Sequence, residues 1–294
     1  MPTRFDHFVI GVRDLDTAIR AYQRLGFDTR PGGKHTGRGT HNALIRFGLD
    51  YIELLSVYDE AEAAATGPRG QAIVDFLRER EGVLLGYALA TDSIEQEAER
   101  FRGSGLLVQE PFAMQRLRPD GHLLTWKLFV PGGSSWRRPW PFIIQWDEPD
   151  QERLITEQPG THQNGASRWE RIVVATHDLE RSAALYQQQL GLELQPLNSC
   201  SRLHAQRAAF LVGNSTIVLA APESAGPIQE KLLQIGEGPF EVTIAVKNVD
   251  QARSFLAQRD VSFQWDAANP KTLRISPEEA LGVRIILVED VVGQ

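Results

Sequence analysis

Hydrophobic and polar residues alternate over short segments of the chain, and several of these segments precede the periodic pattern of an amphipathic helix. The stretch FDHFVIGVRDLDTAIRAYQRLGFDT, from Phe5, predicts a strand, an acidic turn that caps a helix, and a second strand after Gly26. The stretch HNALIRFGLDYIELLSV then predicts a β-hairpin. The element order at the start of the chain is therefore expected to be βαβββ.

The same order of patterns occurs four times. The segment WERIVVATHDLERSAALYQQQLGLEL, from Trp169, repeats the first unit almost position for position, and weaker copies begin at Leu84 and Pro239. The polar stretch 148–166 is typical of an interdomain linker. We therefore predict an α+β fold of four βαβββ modules paired into two cup-shaped halves of mixed β-sheet. The predicted bounds are 1–147 for the N-terminal half (modules 1–57 and 84–147, helical connector 58–83) and 167–294 for the C-terminal half (modules 167–222 and 238–290).

The composition and charge of the chain argue against several kinds of binding partner. A formal charge of −7, with arginines spread over all 294 residues, provides no basic stripe for a nucleic acid. We expect neither a membrane span nor a signal peptide, and the glycine-rich HTGRGTH does not fit a nucleotide-binding loop. Cys200 is the only cysteine, which excludes an intrachain disulfide. These features predict a cytoplasmic protein, monomer or homodimer, that binds a small molecule and has no nucleotide cofactor.

Paired βαβββ modules that open with DHFVIGVRDLD and end with DYIELLSV resemble the vicinal oxygen chelate superfamily, which includes glyoxalases, bleomycin-resistance proteins and extradiol dioxygenases. The N-terminal half, with GTHNALIRFGLDYIELL, RPDGHLLTWKL and PWPFIIQW, is similar more narrowly to the glyoxalase-like group. The resemblance covers almost the whole chain. It implies the fold and leaves the reaction open, because one fold can host many chemistries.

Glu53 lies in the middle of an otherwise apolar predicted strand, where a carboxylate without a partner would be costly. Strand alternation places it with Asn42 and Arg46 on the face that points away from the helix. If residues 49–50 form a two-residue turn, Arg46 lies directly opposite Glu53 and can pair with it. His7 faces the same cavity by the same alternation. We therefore expect Glu53 either to pair with Arg46 or to face a cavity beside His7.

The resemblance places His7 at the first-strand metal position of the superfamily and Glu53 at its fourth-strand position. Imidazole and carboxylate ligands suit zinc, nickel, manganese or iron(II), so the resemblance implies a divalent metal in the N-terminal cup. A catalytic metal usually has at least three protein ligands, and either His35 or His41 is a candidate for the third. Gln145 is a poorer ligand.

Tryptophans close to this cup are candidates for its wall. Trp126 belongs to a predicted strand, while Trp136 and Trp140 lie in a glycine- and arginine-rich segment that either packs on a ligand or is a simple connector. The full set of candidate substrate-binding residues is Asn42, Arg46, Trp126, Trp136, Trp140 and Gln145.

The C-terminal half lacks the histidine and glutamate pair. The positions that correspond to His7 are Arg171 and Glu241, which we expect to form a salt bridge, and Ile286 corresponds to Glu53. This half is therefore interpreted as structural. An extradiol dioxygenase is the least favoured function, since in the relatives its ligands belong to this half.

The favoured function is a glyoxalase-like small-molecule enzyme, a lyase or isomerase that acts on an oxygen-rich carbonyl substrate, with Glu53 and His7 as the catalytic residues. The alternative is a non-catalytic binding protein of the bleomycin-resistance type, with an apolar cup ringed by tryptophans. The reason for this alternative is that strand position provides only two standard metal ligands, His7 and Glu53, and no third.

Overall fold

The computed structural model describes residues 1–133, 136–195, 199–266 and 269–290, and within these ranges it confirms four modules of the order βαβββ. The first module and its connector contain β1 (Arg4–Val12), α1 (Leu15–Arg24), β2 (Thr29–His35), β3 (Thr40–Arg46), β4 (Tyr51–Val57), α2 (Glu60–Ala65) and α3 (Pro68–Glu79). The second module and the helix after it are β5 (Gly82–Ala90), α4 (Ile94–Phe101), β6 (Phe112–Leu117), β7 (Leu123–Phe129), β8 (Phe142–Trp146) and α5 (Asp150–Thr156).

The C-terminal half has the same organisation. The third module and its connector are β9 (Ala166–Ala175), α6 (Leu179–Gln188), β10 (Leu194–Gln195), β11 (Ala205–Val212), β12 (Ser215–Pro222) and α7 (Pro227–Gln234). The fourth module contains β13 (Gly238–Val246), α8 (Val249–Ala257), β14 (Phe263–Asp266), β15 (Asn269–Ile275), a 3₁₀ helix (Pro277–Ala280) and β16 (Arg284–Glu289). The predicted bound of this half includes residues 291–294, which lie outside the described ranges.

The module helices begin at short polar residues, as the acidic turns in the sequence predict. Asp14, Asp178 and Asn248 each accept a hydrogen bond from the backbone N–H three residues later, which satisfies a donor that the first turn leaves free. Gly26, with a φ of +91°, follows the end of α1 and allows the chain to turn into β2. No helix in the described ranges has the length and apolar character that a membrane crossing requires.

The N-terminal cup is a closed barrel in the order β1-β4-β3-β2-β6-β7-β8-β5. The first strand of each module pairs parallel with the fourth strand, and the pairing of β2 with β6 closes the barrel. Phe8, Ile10 and Val12 pack with the apolar residues of α1, whereas His7 and Val9 face the interior. The predicted alternation along β1 is therefore confirmed from His7 onward.

The C-terminal modules form an eight-stranded sheet in the order β10-β11-β12-β9-β13-β16-β15-β14. On the face away from the module helices, apolar side chains of the sheet pack with Ile228 and Leu232 of α7. Glu241 lies on this sheet, but its predicted salt bridge with Arg171 is wrong. Both of its carboxylate oxygens accept hydrogen bonds from Arg202, at 2.7 and 2.8 Å. The reason is the strand register, which places Val173 opposite Glu241 and leaves Arg171 exposed.

The two halves share one large apolar core. The rings of Phe5 and Trp169 lie 3.9 Å apart between centroids. The hydroxyl groups of Tyr87 and Tyr186 contact each other, and both lie within hydrogen-bonding distance of the carbonyl oxygen of Pro139, at 3.1 and 2.8 Å. The N-terminal barrel is thus supported from outside by the C-terminal half.

Candidate functional site

The β3–β4 hairpin that contains Glu53 pairs in a register two residues away from the predicted one. Leu44 lies opposite Glu53, Arg46 lies opposite Tyr51, and residues 48–49 form the turn. Because the shift is an even number of residues, each side chain keeps its predicted face and Glu53 still points into the barrel. The alternative in which Arg46 pairs with Glu53 is wrong, since Arg46 pairs with Glu157 instead.

The barrel interior contains a cavity of about 470 Å³ that Glu53 faces. Aromatic and aliphatic side chains make up most of its wall, and a few polar groups converge in it, as is typical of small-molecule sites. The candidate residues that line this cavity are His7, His35, Glu53, Trp126 and Trp136.

Three other candidates point elsewhere for identifiable reasons. Gln145 accepts a hydrogen bond from the backbone N–H of Ile94 at 2.8 Å, because alternation along β8 turns Ile144 inward and Gln145 toward α4. Trp140 donates to the carbonyl oxygen of Pro131 at 3.0 Å. The His41 ring packs against Tyr58, 5.6 Å between centroids, and does not line the cavity.

Glu53 is only 7 % exposed, and its two carboxylate oxygens have different surroundings. Oε1 accepts a hydrogen bond from Asn42 Nδ2 at 2.6 Å and lies 3.6 Å from His35 Nε2. Oε2 lies 3.7 Å from His7 Nε2 and accepts no hydrogen bond in the described part of the chain. Asn42 therefore orients the carboxylate from behind, while Oε2 remains open to a ligand.

His7 is held in one orientation by Asp6, which a sequence with regular alternation would place on the opposite face. A β-bulge between residues 5 and 7 brings the two side chains together, so that His7 Nδ1 donates to Asp6 Oδ1 at 2.6 Å. Burial alone would raise the pKa of Asp6, but the bond from His7 and the charges of Arg4 and Arg153 hold it well below its usual range. An ionised Asp6 can only accept, which leaves His7 Nε2 as the nitrogen that faces Glu53.

His35 is a neutral imidazole at physiological pH. Burial lowers its pKa to about 4, an effect that the nearby charge of Glu53 only partly opposes. Its Nδ1 is hydrogen-bonded to Thr40 Oγ1 at 3.0 Å, and its Nε2 faces Glu53. The residue thus contributes polarity to the cavity wall without adding a positive charge.

The lowered pKa of His35 predicts a loss of stability in mild acid. The unfolded chain binds a proton at this histidine below about pH 6.5, while the folded protein resists protonation down to about pH 4. The free energy of unfolding should therefore fall by about 3 kcal/mol from this group between those pH values. Urea unfolding across this pH range should show a smaller fall in His35→Gln than in wild type. The exposed-site control His122→Gln should parallel wild type, and parallel curves for all three proteins would contradict the prediction.

The family resemblance implies a divalent metal ion in this cavity. His7, His35 and Glu53 approach one another, but each histidine faces a different oxygen of the carboxylate. In the ranges that the structure describes, no three histidine, cysteine, aspartate or glutamate side chains are placed to hold a metal ion together. The residues as positioned do not form a ready ligand set.

A buried ion network lies beneath the site, and part of it comes from the stretch predicted to be a linker. Glu157, just after α5, accepts hydrogen bonds from Arg46, from Arg116 at 3.2 Å, and from Arg153 at 2.8 and 3.1 Å. Arg153 Nη1 also lies 3.9 Å from Asp6 Oδ2. The network therefore connects the segment after β8 to the residue that orients His7.

Sequence reasoning missed Asp6 and three network residues, Arg116, Arg153 and Glu157, as well as two cavity arginines, Arg38 and Arg69. The spacing of Arg153 and Glu157, four residues apart on a helix pattern, was a signal for their ion pair. Nothing local indicated that this pair would be buried.

Comparison with known proteins supplements this geometry. A family model described as a glyoxalase-like domain matches residues 5–190. No curated protein matches the sequence significantly.

Among solved structures, a hypothetical protein from Staphylococcus aureus has a TM-score of 0.69 at 17% identity, covering 97% of this chain and 99% of that one. A mutant of 4-hydroxymandelate synthase from Streptomyces coelicolor has a TM-score of 0.63 at 13% identity, covering 98% and 92%. Methylmalonyl-CoA epimerase from Mycobacterium tuberculosis is 23% identical, with a TM-score of 0.39, and covers 44% of this chain and 91% of that one. At these identities the first two structures support the fold of the whole chain.

Proposed function

Because the chain belongs to the glyoxalase-like domain family of the vicinal oxygen chelate superfamily, we propose that its N-terminal barrel is the active site of a lyase or isomerase that removes a proton beside a carbonyl group. The observation that carries this proposal is Glu53. It is a buried carboxylate in a 470 Å³ cavity, held at Oε1 by Asn42 and open at Oε2. A carboxylate fixed in this way is suited to act as a general base.

In the proposed reaction, Glu53 Oε2 accepts a proton from the carbon next to the substrate carbonyl. The electron pair of the broken C–H bond moves toward the carbonyl oxygen, which becomes an enolate. Return of the proton to a different carbon gives an isomerase, whereas departure of a neighbouring substituent gives a lyase. Low solvent access to Glu53 favours this step, because it protects the enolate from side reactions with water.

His7 is assigned a second proton-transfer role. Asp6 binds its Nδ1 proton, so Nε2 is the nitrogen available to the substrate. The ring is also held by stacking on Tyr51, with centroids 4.7 Å apart and planes 12° apart, and by the edge of Phe142. A ring fixed on both sides can exchange a proton with a substrate oxygen without first reorienting.

The family resemblance also suggests a divalent metal, although the side chains that line the cavity do not form a ready ligand set in the described ranges. The proposed proton transfer does not require a metal. A bound ion would supply Lewis-acid stabilisation of the developing oxygen charge, with His7, Glu53 and His35 as the residues nearest to it.

The proposal is tested by proton exchange in D₂O with a panel of small 2-oxo acids, α-hydroxy ketones and 1,3-dicarbonyl compounds. We expect wild type to incorporate deuterium beside the carbonyl of at least one compound faster than buffer alone, detected by NMR. The protein is assayed as purified and after addition of zinc, nickel, manganese or iron(II), and its metal content is measured in parallel.

An absence of exchange and turnover in every arm would contradict the proposed reaction. If compounds of the panel then quench tryptophan fluorescence and are recovered unchanged, the binding-protein alternative is favoured. The aromatic cavity wall, with Trp126 and Trp136, is the observation that supports this alternative.

A further inference from the structure

The cavity wall contains more positive than negative side chains. Among the described residues that line it, Glu53 is the only carboxylate, whereas Arg38, Arg69 and Arg116 are guanidinium groups. Arg116 forms an ion pair with Glu157, at 3.2 Å, behind the cavity wall. Within the described part of the chain, neither Arg38 nor Arg69 forms an ion pair, and each is instead placed over an aromatic ring.

Arg69 is the more constrained of these two cations. It lies in the first turn of α3, after a glycine N-cap that provides no side-chain hydrogen bond. Its guanidinium stacks 4.0 Å from the ring centroid of Trp136 and 5.2 Å from that of Phe142. The indole N–H of Trp136 donates to the Arg69 carbonyl oxygen at 3.2 Å, which fixes the two residues relative to each other. The guanidinium is therefore held in place and is not free to swing into solvent.

Arg69 also has unused hydrogen-bonding capacity inside the protein. Its Nη1 is buried and has no hydrogen-bond partner in the described ranges. A guanidinium carries five N–H donors, and a buried donor without a partner is costly. Burial, together with the neighbouring positive charges of Arg138 and Arg38, lowers the pKa of Arg69 well below its usual value, with only the charge of Glu53 opposing it. An anion in the cavity would satisfy both the charge and the donor.

We propose that the cavity binds a small organic carboxylate whose carboxylate group is received by Arg69 and whose apolar body packs on the aromatic wall. The planar guanidinium matches a carboxylate with two parallel hydrogen bonds. A ligand with a single negative charge should bind better than a dianion, because the carboxylate of Glu53 in the same cavity repels a second negative charge. This inference rests on the proposed function in placing the reacting carbon near Glu53, but the binding itself does not require chemistry.

The test compares each acid with its neutral amide: phenylacetate with phenylacetamide, 3-phenylpropanoate with its amide, and hexanoate with its amide. Dissociation constants are measured by tryptophan fluorescence and calorimetry for wild type, Arg69→Gln and Arg69→Lys. Arg78→Gln is the matched control, since Arg78 lies on the same helix, is 58% exposed and pairs with Glu60 at the surface. Thermal unfolding checks that each variant is folded.

Wild type and Arg78→Gln should bind at least one acid about tenfold or more tightly than its amide, the scale of a charge-assisted hydrogen bond. Arg69→Gln should lose this preference, and Arg69→Lys should recover only part of it. Equal binding of acid and amide by wild type, an unchanged preference in folded Arg69→Gln, or no binding of any acid would overturn the inference.

Glu53→Gln separates this inference from the proposed reaction. It removes the candidate base and the one negative charge among the described residues of the wall, so acid binding should be retained or tighter. If Glu53→Gln binds the acids through Arg69 but wild type exchanges no proton, the reaction is wrong and the carboxylate site stands. If wild type exchanges protons only in neutral compounds, and the acids do not bind, the proposed reaction stands and the carboxylate site is wrong.

Discussion

Replacing Glu157 by glutamine is expected to lower the free energy of unfolding by about 3–5 kcal/mol, the usual cost of removing one partner from a buried ion pair. Arg46, Arg116 and Arg153 all donate hydrogen bonds to this carboxylate, and their side chains are at most 9% exposed. Burial already lowers the pKa of Arg46 to about 10, although Glu157 opposes the shift. Without the Glu157 carboxylate, three buried guanidinium groups would lie close together and repel one another, with little negative charge nearby to offset the repulsion.

Urea unfolding at neutral pH measures this effect. Glu152→Gln is the matched control, because Glu152 lies on α5, the helix that directly precedes Glu157, and is exposed; its substitution should change the free energy by no more than about 0.5 kcal/mol. If Glu157→Gln were as stable as this control, the network would not contribute to stability in the way that its burial indicates. A second expectation is that proton transfer at His7 becomes less efficient, since Arg153 is part of the charge environment of Asp6.

The interior-facing residues could be predicted because strand alternation is a local property. His7 and Glu53 were placed in a common cavity from the sequence, and the structure brings them to 3.7 Å. The turn lies one residue earlier than predicted, which displaces the cross-strand partner of Glu53 by two residues and leaves the face of every side chain unchanged. A displacement of the strand pairing by one residue would have turned Glu53 toward α1.

The residues that support the site could not be predicted in the same way. The side chain of Asp6 reaches that of His7 only because a bulge interrupts β1, and no glycine or proline in the sequence marks that bulge. Glu157 and Arg153 occur in a polar stretch, whose burial depends on closure of the barrel above it. Arg69 belongs to a connector helix that covers the cavity only after both modules have paired. These contacts join segments distant in sequence, so no local pattern specifies them.

The family resemblance indicated which strands carry the candidate site residues, but it did not indicate which other polar groups lie beside Glu53. It indicated positions on the first and fourth strands, and the side chains of His7 on β1 and Glu53 on β4 line the cavity. In the second module the corresponding inward position on β8 is Ile144, an aliphatic residue that lines the cavity. The polar group that instead approaches Glu53 is His35, from β2, and it is held neutral by burial. The cavity therefore contains a second imidazole, from a different strand, beside the histidine and the glutamate at the two positions that the resemblance implies.

Glu53→Gln is expected to slow proton exchange by about 100- to 10,000-fold, the usual contribution of a general base, while the protein remains folded. The amide oxygen of glutamine can still accept the hydrogen bond from Asn42 that now reaches Oε1 at 2.6 Å. Only the capacity to take a proton is lost. The substitution therefore separates a catalytic role from a structural one better than alanine would, since alanine would also leave the buried Asn42 amide without its acceptor.

The measurement is deuterium incorporation into the best compound of the carbonyl panel at saturating concentration, with thermal unfolding recorded for each protein. Glu79→Gln is the control, because Glu79 is 75% exposed at the end of α3 and should exchange at the wild-type rate. If folded Glu53→Gln kept the wild-type rate, another group would have to remove the proton. His7 would then be the next candidate, because its Nε2 lies on the same side of the cavity and Asp6 already holds the proton on Nδ1.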